Sequence, residues 1–149
     1  MNKAFTRESD TEPDDGYWVA SADGGVFAFG DAPFLGSAAG QSARGIVDIA
    51  ATPSGQGYWL TAGDGGVFAF GDAGYFGSGP EMGLTSRIVA IAPTAKGDGY
   101  WLVGADGGVF AFGNAPFFGS LGDQQLNANV IELVPTPSGN GYYLVSADG

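Results

Sequence analysis

The 149-residue sequence contains neither cysteine nor histidine. The absence of cysteine excludes disulfide bonds and thiolate metal sites. Without histidine, Ser–His–Asp and Cys–His catalytic arrangements are impossible. The sequence also lacks the acidic loop motif that binds calcium in EF-hands. We therefore expect no metal ion and no cofactor.

Basic residues and long apolar runs are also scarce. Five Lys and Arg stand against sixteen Asp and Glu, which gives a net charge of −11. Nucleic acids and anionic membrane surfaces attract clusters of basic residues, so we expect neither as a partner. No apolar run approaches the roughly 18 residues that cross a bilayer. Residues 1–15 lack the apolar segment of a signal peptide, and we expect none in this sequence.

The sequence does contain a long motif that is written three times. It reads GYWLTAGDGGVFAFGDA at 57–73 and recurs at 16–32 and 99–115. A fourth copy occupies 141–149, and the starts at 16, 57, 99 and 141 give a period of 41 or 42 residues. Such a period is typical of repeat architectures. We predict a disordered acidic leader at 1–15 and a three-repeat β domain at 16–149, with repeats at about 16–56, 57–98 and 99–140 and a partial repeat at 141–149.

Each period predicts four short strands, a to d, joined by tight turns. Strand b is 16–22, c is 26–29 and d is 34–37 in the first repeat, and strand a of the next repeat is 46–52. The Asp-Gly-Gly between b and c is typical of hairpins with primed turns. Both faces of b and c are largely apolar, whereas a sheet with one wet face would alternate apolar and polar residues. We therefore predict an all-β fold of four-stranded, propeller-type blades, with a β-trefoil as the alternative.

The motif resembles the GYWLV and ADGGVFAFGDA repeats that occur in tandem in actinobacterial proteins, many of them secreted. Those arrays often accompany peptidoglycan- or polysaccharide-processing domains. The resemblance covers 16–149 and implies an extracellular or cell-wall-associated protein with a glycan or cell-wall polymer as a partner. Residues 21–27, SADGGVF, are similar to the Asp-box of sialidase-type propellers, which is a structural hairpin in that family.

The strand count predicts self-association. The chain supplies too few blades to close a propeller, which has at least about four, and an open array would leave sheet edges in water. We expect a homodimer that closes a six-bladed ring by two-fold symmetry. In this arrangement, residues 130–149 of one chain complete the blade that begins at Gly16 of the other.

The recurring polar turn residues are predicted to be structural. Side chains of Asp and Asn in turns bond their own backbone two residues on, and we expect this of both recurring series. The first series is Asp23, Asp64, Asp106 and Asp148, and the second is Asp31, Asp72 and Asn114.

The candidate ligand-binding residues are the aromatic series of strand b and two acids of strand a. A tryptophan at one position of every blade suits stacking on sugars, and packing between blades is the alternative. The two acids hold equivalent positions on a strand that lines a propeller's channel, where they could form a catalytic carboxylate pair or simply be solvated. The candidates are Trp18, Trp59, Trp101, Tyr143, Asp48 and Glu132.

These observations predict a non-catalytic, lectin-like module that binds carbohydrate or cell wall, and not an enzyme. The alternative is a structural or protein–protein interaction scaffold of self-assembling blades. The three repeats differ most at 38–45, 79–87 and 121–129. We expect these loops to cluster with the b–c turns at one end of the fold, where function concentrates on a rigid scaffold.

Overall fold

The computed structural model describes residues 3–6, 16–41 and 45–149, and of residues 3–6 only the backbone. This part of the chain is all-β, which confirms the predicted class, and its one helical element is the 3₁₀ turn Pro80–Met82. The strands are β1 Lys3–Thr6, β2 Tyr17–Ala20, β3 Val26–Phe29, β4 Ile46–Ala51, β5 Gly57–Ala62, β6 Val67–Gly71, β7 Ile88–Pro93, β8 Gly99–Gly104, β9 Val109–Gly113, β10 Val130–Pro135 and β11 Tyr142–Ser146.

The strands form four antiparallel sheets in chain order. Sheet I is β1-β2-β3, sheet II is β4-β5-β6, sheet III is β7-β8-β9 and sheet IV is β10-β11. Strands a, b and c are therefore found where the motif predicts them. The described residues form no closed barrel and no closed ring of sheets.

The first sheet contains a strand, β1, that lies in the predicted disordered leader. Lys3–Thr6 pairs with β2 as strand a of sheet I, with Phe5 opposite Trp18. The rest of the predicted leader, 1–2 and 7–15, lies outside the described residues. Because β1 fills the strand-a position of sheet I, residues 130–149 of a second chain have no vacant position to complete there.

The predicted strand d is wrong, so sheets I, II and III each have three strands and not four, and sheet IV has two. The connecting segments 34–37, 75–78 and 117–120 join no sheet. Their backbone groups bond instead to a tyrosine of the following sheet. The Tyr58 hydroxyl accepts from the Leu35 N–H at 3.0 Å and donates to the Gly36 carbonyl at 2.6 Å. Each segment therefore links two sheets, and the bridge satisfies one N–H and one carbonyl of the segment without a ladder.

The same tyrosine bridge recurs at the next two interfaces. The Tyr100 hydroxyl bonds the Phe76 N–H and the Gly77 carbonyl. The Tyr142 hydroxyl bonds the Phe118 N–H and the Gly119 carbonyl. The bridge is thus a regular feature of how one sheet holds the connecting segment of the sheet before it.

The sheets stack so that every interface brings together two different kinds of sheet face. We call the side that carries the first aromatic residue of strand b the tyrosine face; in sheet II it holds Tyr58, Leu60 and Phe68. The opposite side is the tryptophan face, which holds Trp59 and Val67 in sheet II. The tryptophan faces of sheets I, II and III pack on the tyrosine faces of sheets II, III and IV, respectively. The core is therefore three layers between four sheets.

Backbone bonds between sheets fix the stack. The Ile46 N–H donates to the Ala22 carbonyl, and the Ile88 N–H donates to the Gly63 carbonyl, each at 2.8 Å. The first strands of successive sheets are neighbours, β1 with β4, β4 with β7 and β7 with β10. Strand a of every sheet consequently lies along one side of the stack.

The b–c turns are not the predicted primed turns. The Gly24 N–H donates to the Ser21 carbonyl at 3.0 Å, and Gly24 then takes a φ of 92°. A primed type I turn also needs a positive φ at the residue before that glycine, and no described residue other than glycine has one. The turn is instead an ordinary tight turn followed by a left-handed glycine. A Cβ on Gly24 would lie 2.6 Å from the Ala38 carbonyl carbon, so glycine is required there.

Removal of the Tyr100 hydroxyl is expected to destabilise the fold by about 1–3 kcal/mol, since two backbone groups lose their partner. Burial raises the pKa of Tyr100 from 10.0 to about 12. Its hydroxyl therefore stabilises the fold fully below pH 10, and this contribution is lost as the pH rises towards 12. Thermal unfolding of Tyr100→Phe should show a lower midpoint at neutral pH and a shallower decline above pH 10.

The control for this measurement is Tyr143→Phe, because that ring is 65% exposed. It should follow the wild-type curve throughout. Parallel curves for Tyr100→Phe and the wild type would show that the Tyr100 hydroxyl does not couple ionisation to folding.

Candidate functional site

The tryptophan series belongs to the core. Trp18 and Trp59 are 0% exposed and Trp101 is 2% exposed. Each indole N–H donates at 2.7 Å to a backbone carbonyl of the connecting region of its own repeat; the acceptors are Pro33, Gly74 and Pro116. Buried rings with their one donor engaged cannot stack on a sugar. The predicted ligand-binding role is therefore wrong for these three residues, and the packing alternative is what the structure shows.

Asp48 is a structural carboxylate that joins two sheets. Its side chain is buried, with 2% of the residue exposed. One oxygen accepts from the Ile49 N–H at 2.8 Å, and the other accepts from the Ile91 N–H of sheet III at 3.0 Å. Two backbone donors hold the carboxylate between the sheets, so the predicted position in an open channel is wrong for Asp48.

Glu132 and Tyr143 are the predicted residues that the structure brings to one open surface. Strand β10 pairs with β11 so that Glu132 lies opposite Val145 and Val134 lies opposite Tyr143. All four side chains belong to the tryptophan face of sheet IV, which no further sheet of the described chain covers. Glu132 accepts from the Leu133 N–H at 3.2 Å.

The two predicted acids do not meet. Asp48 lies between sheets II and III, and Glu132 lies on the outer face of sheet IV. Strand β7 of sheet III separates β4 from β10. The carboxylate pair that a glycosidase requires is consequently not formed by these residues.

Three members of the first aspartate series behave as predicted. The carboxylates of Asp23, Asp64 and Asp106 each accept from the N–H two residues on, at 3.0, 2.9 and 2.9 Å. Bonds from the Ser21 hydroxyl and the Gly25 N–H lower the pKa of Asp23. Among the described residues, no three or more potential ligands of the Asp and Glu type gather where they could hold a metal ion.

The second series has a different role from the predicted one. Asp72 accepts from the Thr52 and Ser54 hydroxyls of the a–b turn in its own sheet. In sheet III the carboxylate sits on the turn itself, because Asp98 accepts from the Thr94 hydroxyl at 2.8 Å and from the Asn114 amide at 3.1 Å. These two bonds lower the pKa of Asp98. The side chains of Asp72 and Asn114 therefore tie strand c to the a–b turn of their own sheets.

A groove of about 650 Å³ opens between the a–b turns of sheets III and IV. We call it the turn-end groove. The turns 93–98 and 135–139 form its walls, and Trp101, Asn114 and Pro116 line its base. The concave surface thus combines proline rings with polar side chains.

The variable loops lie at the opposite end of the sheets from those turns. The first residue of each loop bonds a b–c turn, with the Ala38 N–H on the Gly24 carbonyl and the Gly79 N–H on the Gly65 carbonyl, each at 2.8 Å. This confirms that the loops cluster with the b–c turns, and we call this surface the loop end. A hollow of about 490 Å³ there lies between 84–87 and Asp64.

No protein-family model matches the chain, and no curated protein sequence matches it significantly. The resemblance to actinobacterial tandem repeats therefore remains a prediction. In the described part of the chain, no helix is long and apolar enough to cross a membrane.

Three sets of residues were not predicted from the sequence, although each had a detectable signal. The tyrosines that bridge the sheets recur directly before the Trp series at every repeat. In sheet II the acid of the contact between strand c and the a–b turn is Asp72, at the end of strand c. In sheet III the position of Asp72 is taken by Asn114, and the acid is Asp98 on the a–b turn. Both sheets therefore make the same contact between strand c and the a–b turn, with the acid on opposite sides of it. In addition, Leu84 and Leu126 pack on the core from matching loop positions.

Proposed function

We propose that the chain is a non-catalytic interaction scaffold of propeller-type blades whose partner contacts the loop end. The proposal rests on the observation that the recurring polar and aromatic side chains form their hydrogen bonds inside the fold. The Trp N–H groups, the bridging tyrosine hydroxyls and Asp48 all bond backbone groups of the stack. Chemical variety is concentrated in the loops, which a rigid stack presents together.

The loops 79–87 and 121–129 each combine an exposed segment, which we call the tip, with a leucine that packs on the core, which we call the anchor. Leu84 and Leu126 pack on the core, while 80–83 and 122–125 lie between each anchor and the b–c turn and are largely exposed. The first tip reads PEMG and the second reads GDQQ. The two tips have the same length and the same anchor but different side chains. Repeat scaffolds that recognise partners are built in this way.

The matching tips allow a direct test. Exchange of 81–82 with 123–124, which keeps Gly83 and its left-handed φ of 71°, should change the free energy of unfolding by no more than about 1 kcal/mol, as expected for exposed positions. The same exchange should abolish capture of proteins that the wild-type chain retains from an envelope extract of its source cells. Chemical denaturation and quantitative mass spectrometry of the captured proteins measure the two effects.

Leu84→Ala is the matched control, because it removes an anchor and leaves both tips intact. It should lower stability and retain the captured proteins. The scaffold proposal fails if the tip exchange unfolds the chain, or if the exchanged and wild-type chains capture the same proteins.

The turn-end groove favours a second candidate, a lectin-like site for a glycan or cell-wall polymer. Its Asp98 carboxylate, Asn114 amide and Thr136 hydroxyl stand beside proline rings, the mixture of polar and apolar groups that sugars contact. An extracellular or cell-wall location would suit this candidate and the resemblance of the motif. Saturable glycan binding that Asp98→Ala abolishes would favour it over the scaffold.

A further inference from the structure

The two ends of the stack expose apolar faces of opposite kinds. The open face of sheet I is a tyrosine face, on which Tyr17, Phe27 and Phe29 are 38%, 54% and 45% exposed. The open face of sheet IV is a tryptophan face, on which Tyr143 and Val134 are 65% and 46% exposed. Apolar patches of this kind mark interaction surfaces in soluble proteins.

The interior of the molecule shows what covers each kind of face. Three times in the stack a tryptophan face packs on a tyrosine face. The counterparts of Tyr17 and Tyr143 inside the stack are fully covered, with Tyr58, Tyr100 and Trp59 at 0% exposure. The face of sheet IV is therefore of the kind that packs on the face of sheet I.

The polar bond between sheets II and III has a counterpart at these ends. Asp48 on the tryptophan face of sheet II accepts from the Ile91 N–H across the interface. Glu132 holds the position of Asp48 in sheet IV, opposite Val145 as Asp48 is opposite Thr61. Ala4 holds the register position of Ile91 in sheet I, opposite Val19 as Ile91 is opposite Leu102. A carboxylate and a backbone donor are thus placed to meet as they do inside the fold.

We propose that the open face of sheet IV in one chain packs on the open face of sheet I in a second copy of the chain. The contact is heterologous, head to tail, and differs from the two-fold pairing by strand completion that the strand count predicted. Such contacts close into a ring when the rotation between subunits permits and otherwise extend as a filament. The proposal does not rest on the loop end, which lies on a different surface.

Two face variants and their mixture test the proposal. Phe27→Asp blocks the face of sheet I, and Tyr143→Asp blocks the face of sheet IV. The wild type should sediment as a multiple of its 15.1 kDa chain mass, and each variant alone should sediment at that single-chain mass. An equimolar mixture should form a species of twice the chain mass, because each variant keeps the face that the other has lost. Light scattering after size-exclusion chromatography provides an independent measurement of mass.

The control is Phe34→Asp, because Phe34 is about as exposed as Phe27, at 61% against 54%. Phe34 lies on the connecting segment 34–37, which is bonded to Tyr58 of sheet II and belongs to neither open face. This variant should associate as the wild type does. Three results would overturn the proposal: a wild-type chain that stays at 15.1 kDa at millimolar concentration, a single face variant that still associates, or a mixture without the double-mass species. Circular dichroism of each variant shows that loss of association is not loss of fold.

Discussion

Trp59→Ala is expected to lower the free energy of unfolding by about 3–5 kcal/mol, the range for removing a large buried aromatic side chain. Trp59 is 0% exposed and meets Tyr100 edge-on, with ring centroids 5.7 Å apart. The substitution opens a cavity between sheets II and III. It also leaves the Gly74 carbonyl without the donor that now lies 2.7 Å away. Urea denaturation followed by far-ultraviolet circular dichroism measures the loss without relying on tryptophan emission.

Tyr143→Ala is the matched control, because Tyr143 occupies the same repeat position on the uncovered face of sheet IV. The residue is 65% exposed, so its truncation should cost less than about 1 kcal/mol. Both variants should be measured at a protein concentration where the chain is a monomer, since Tyr143 belongs to the proposed contact between copies. Equal losses at the two positions would contradict the assignment of Trp59 to the core.

The comparison of these two positions explains which part of the site the sequence could predict. Trp101 and Tyr143 are equivalent in the repeat, yet one is 2% and the other 65% exposed. A repeat position predicts which face of its sheet a side chain joins. Whether that face is covered depends on where the sheet lies in the stack, which the local motif does not encode.

Strands a, b and c were predictable because their signals are local. Apolar residues on both faces of 58–62 and 67–71 indicate sheets covered on both sides, and the glycines between them indicate the turn. The segment 34–37 is also apolar and extended, but its hydrogen-bond partner is the hydroxyl of Tyr58 in the next repeat. The tyrosine recurs in every repeat, but the sequence of 34–37 itself does not show that its backbone bonds a side chain and not a neighbouring strand.

Strand β1 could not be predicted for a related reason. Residues 3–6 read KAFT and share no pattern with IVDIAA of β4, the strand that holds the same place in sheet II. Residues 3–6 form a strand because they pair with the edge of β2. Their secondary structure is therefore decided by tertiary contact and not by their own sequence. The acidic residues that follow suggested disorder because composition was the only signal available.

Asp48→Ala is expected to lower the free energy of unfolding by about 2–5 kcal/mol, although it deletes only a small side chain. The carboxylate is the acceptor for the Ile49 and Ile91 N–H groups, and both donors lie where water has little access. A buried donor without a partner costs about 1–3 kcal/mol. Asp48→Asn should lose less than Asp48→Ala, because its carbonyl oxygen still accepts one of the two bonds.

Glu132→Ala is the control for this series, since Glu132 holds the same repeat position on an open face, where its carboxylate accepts from the Leu133 N–H at 3.2 Å. Water can replace that bond, so a monomeric chain should lose no more than about 1 kcal/mol. Urea denaturation of the three variants should therefore rank Asp48→Ala, Asp48→Asn and Glu132→Ala in order of decreasing loss. If Asp48→Ala matched the wild type within about 0.5 kcal/mol, the bond between sheets II and III would contribute nothing, and the proposed role of Glu132 between two copies would lose its precedent.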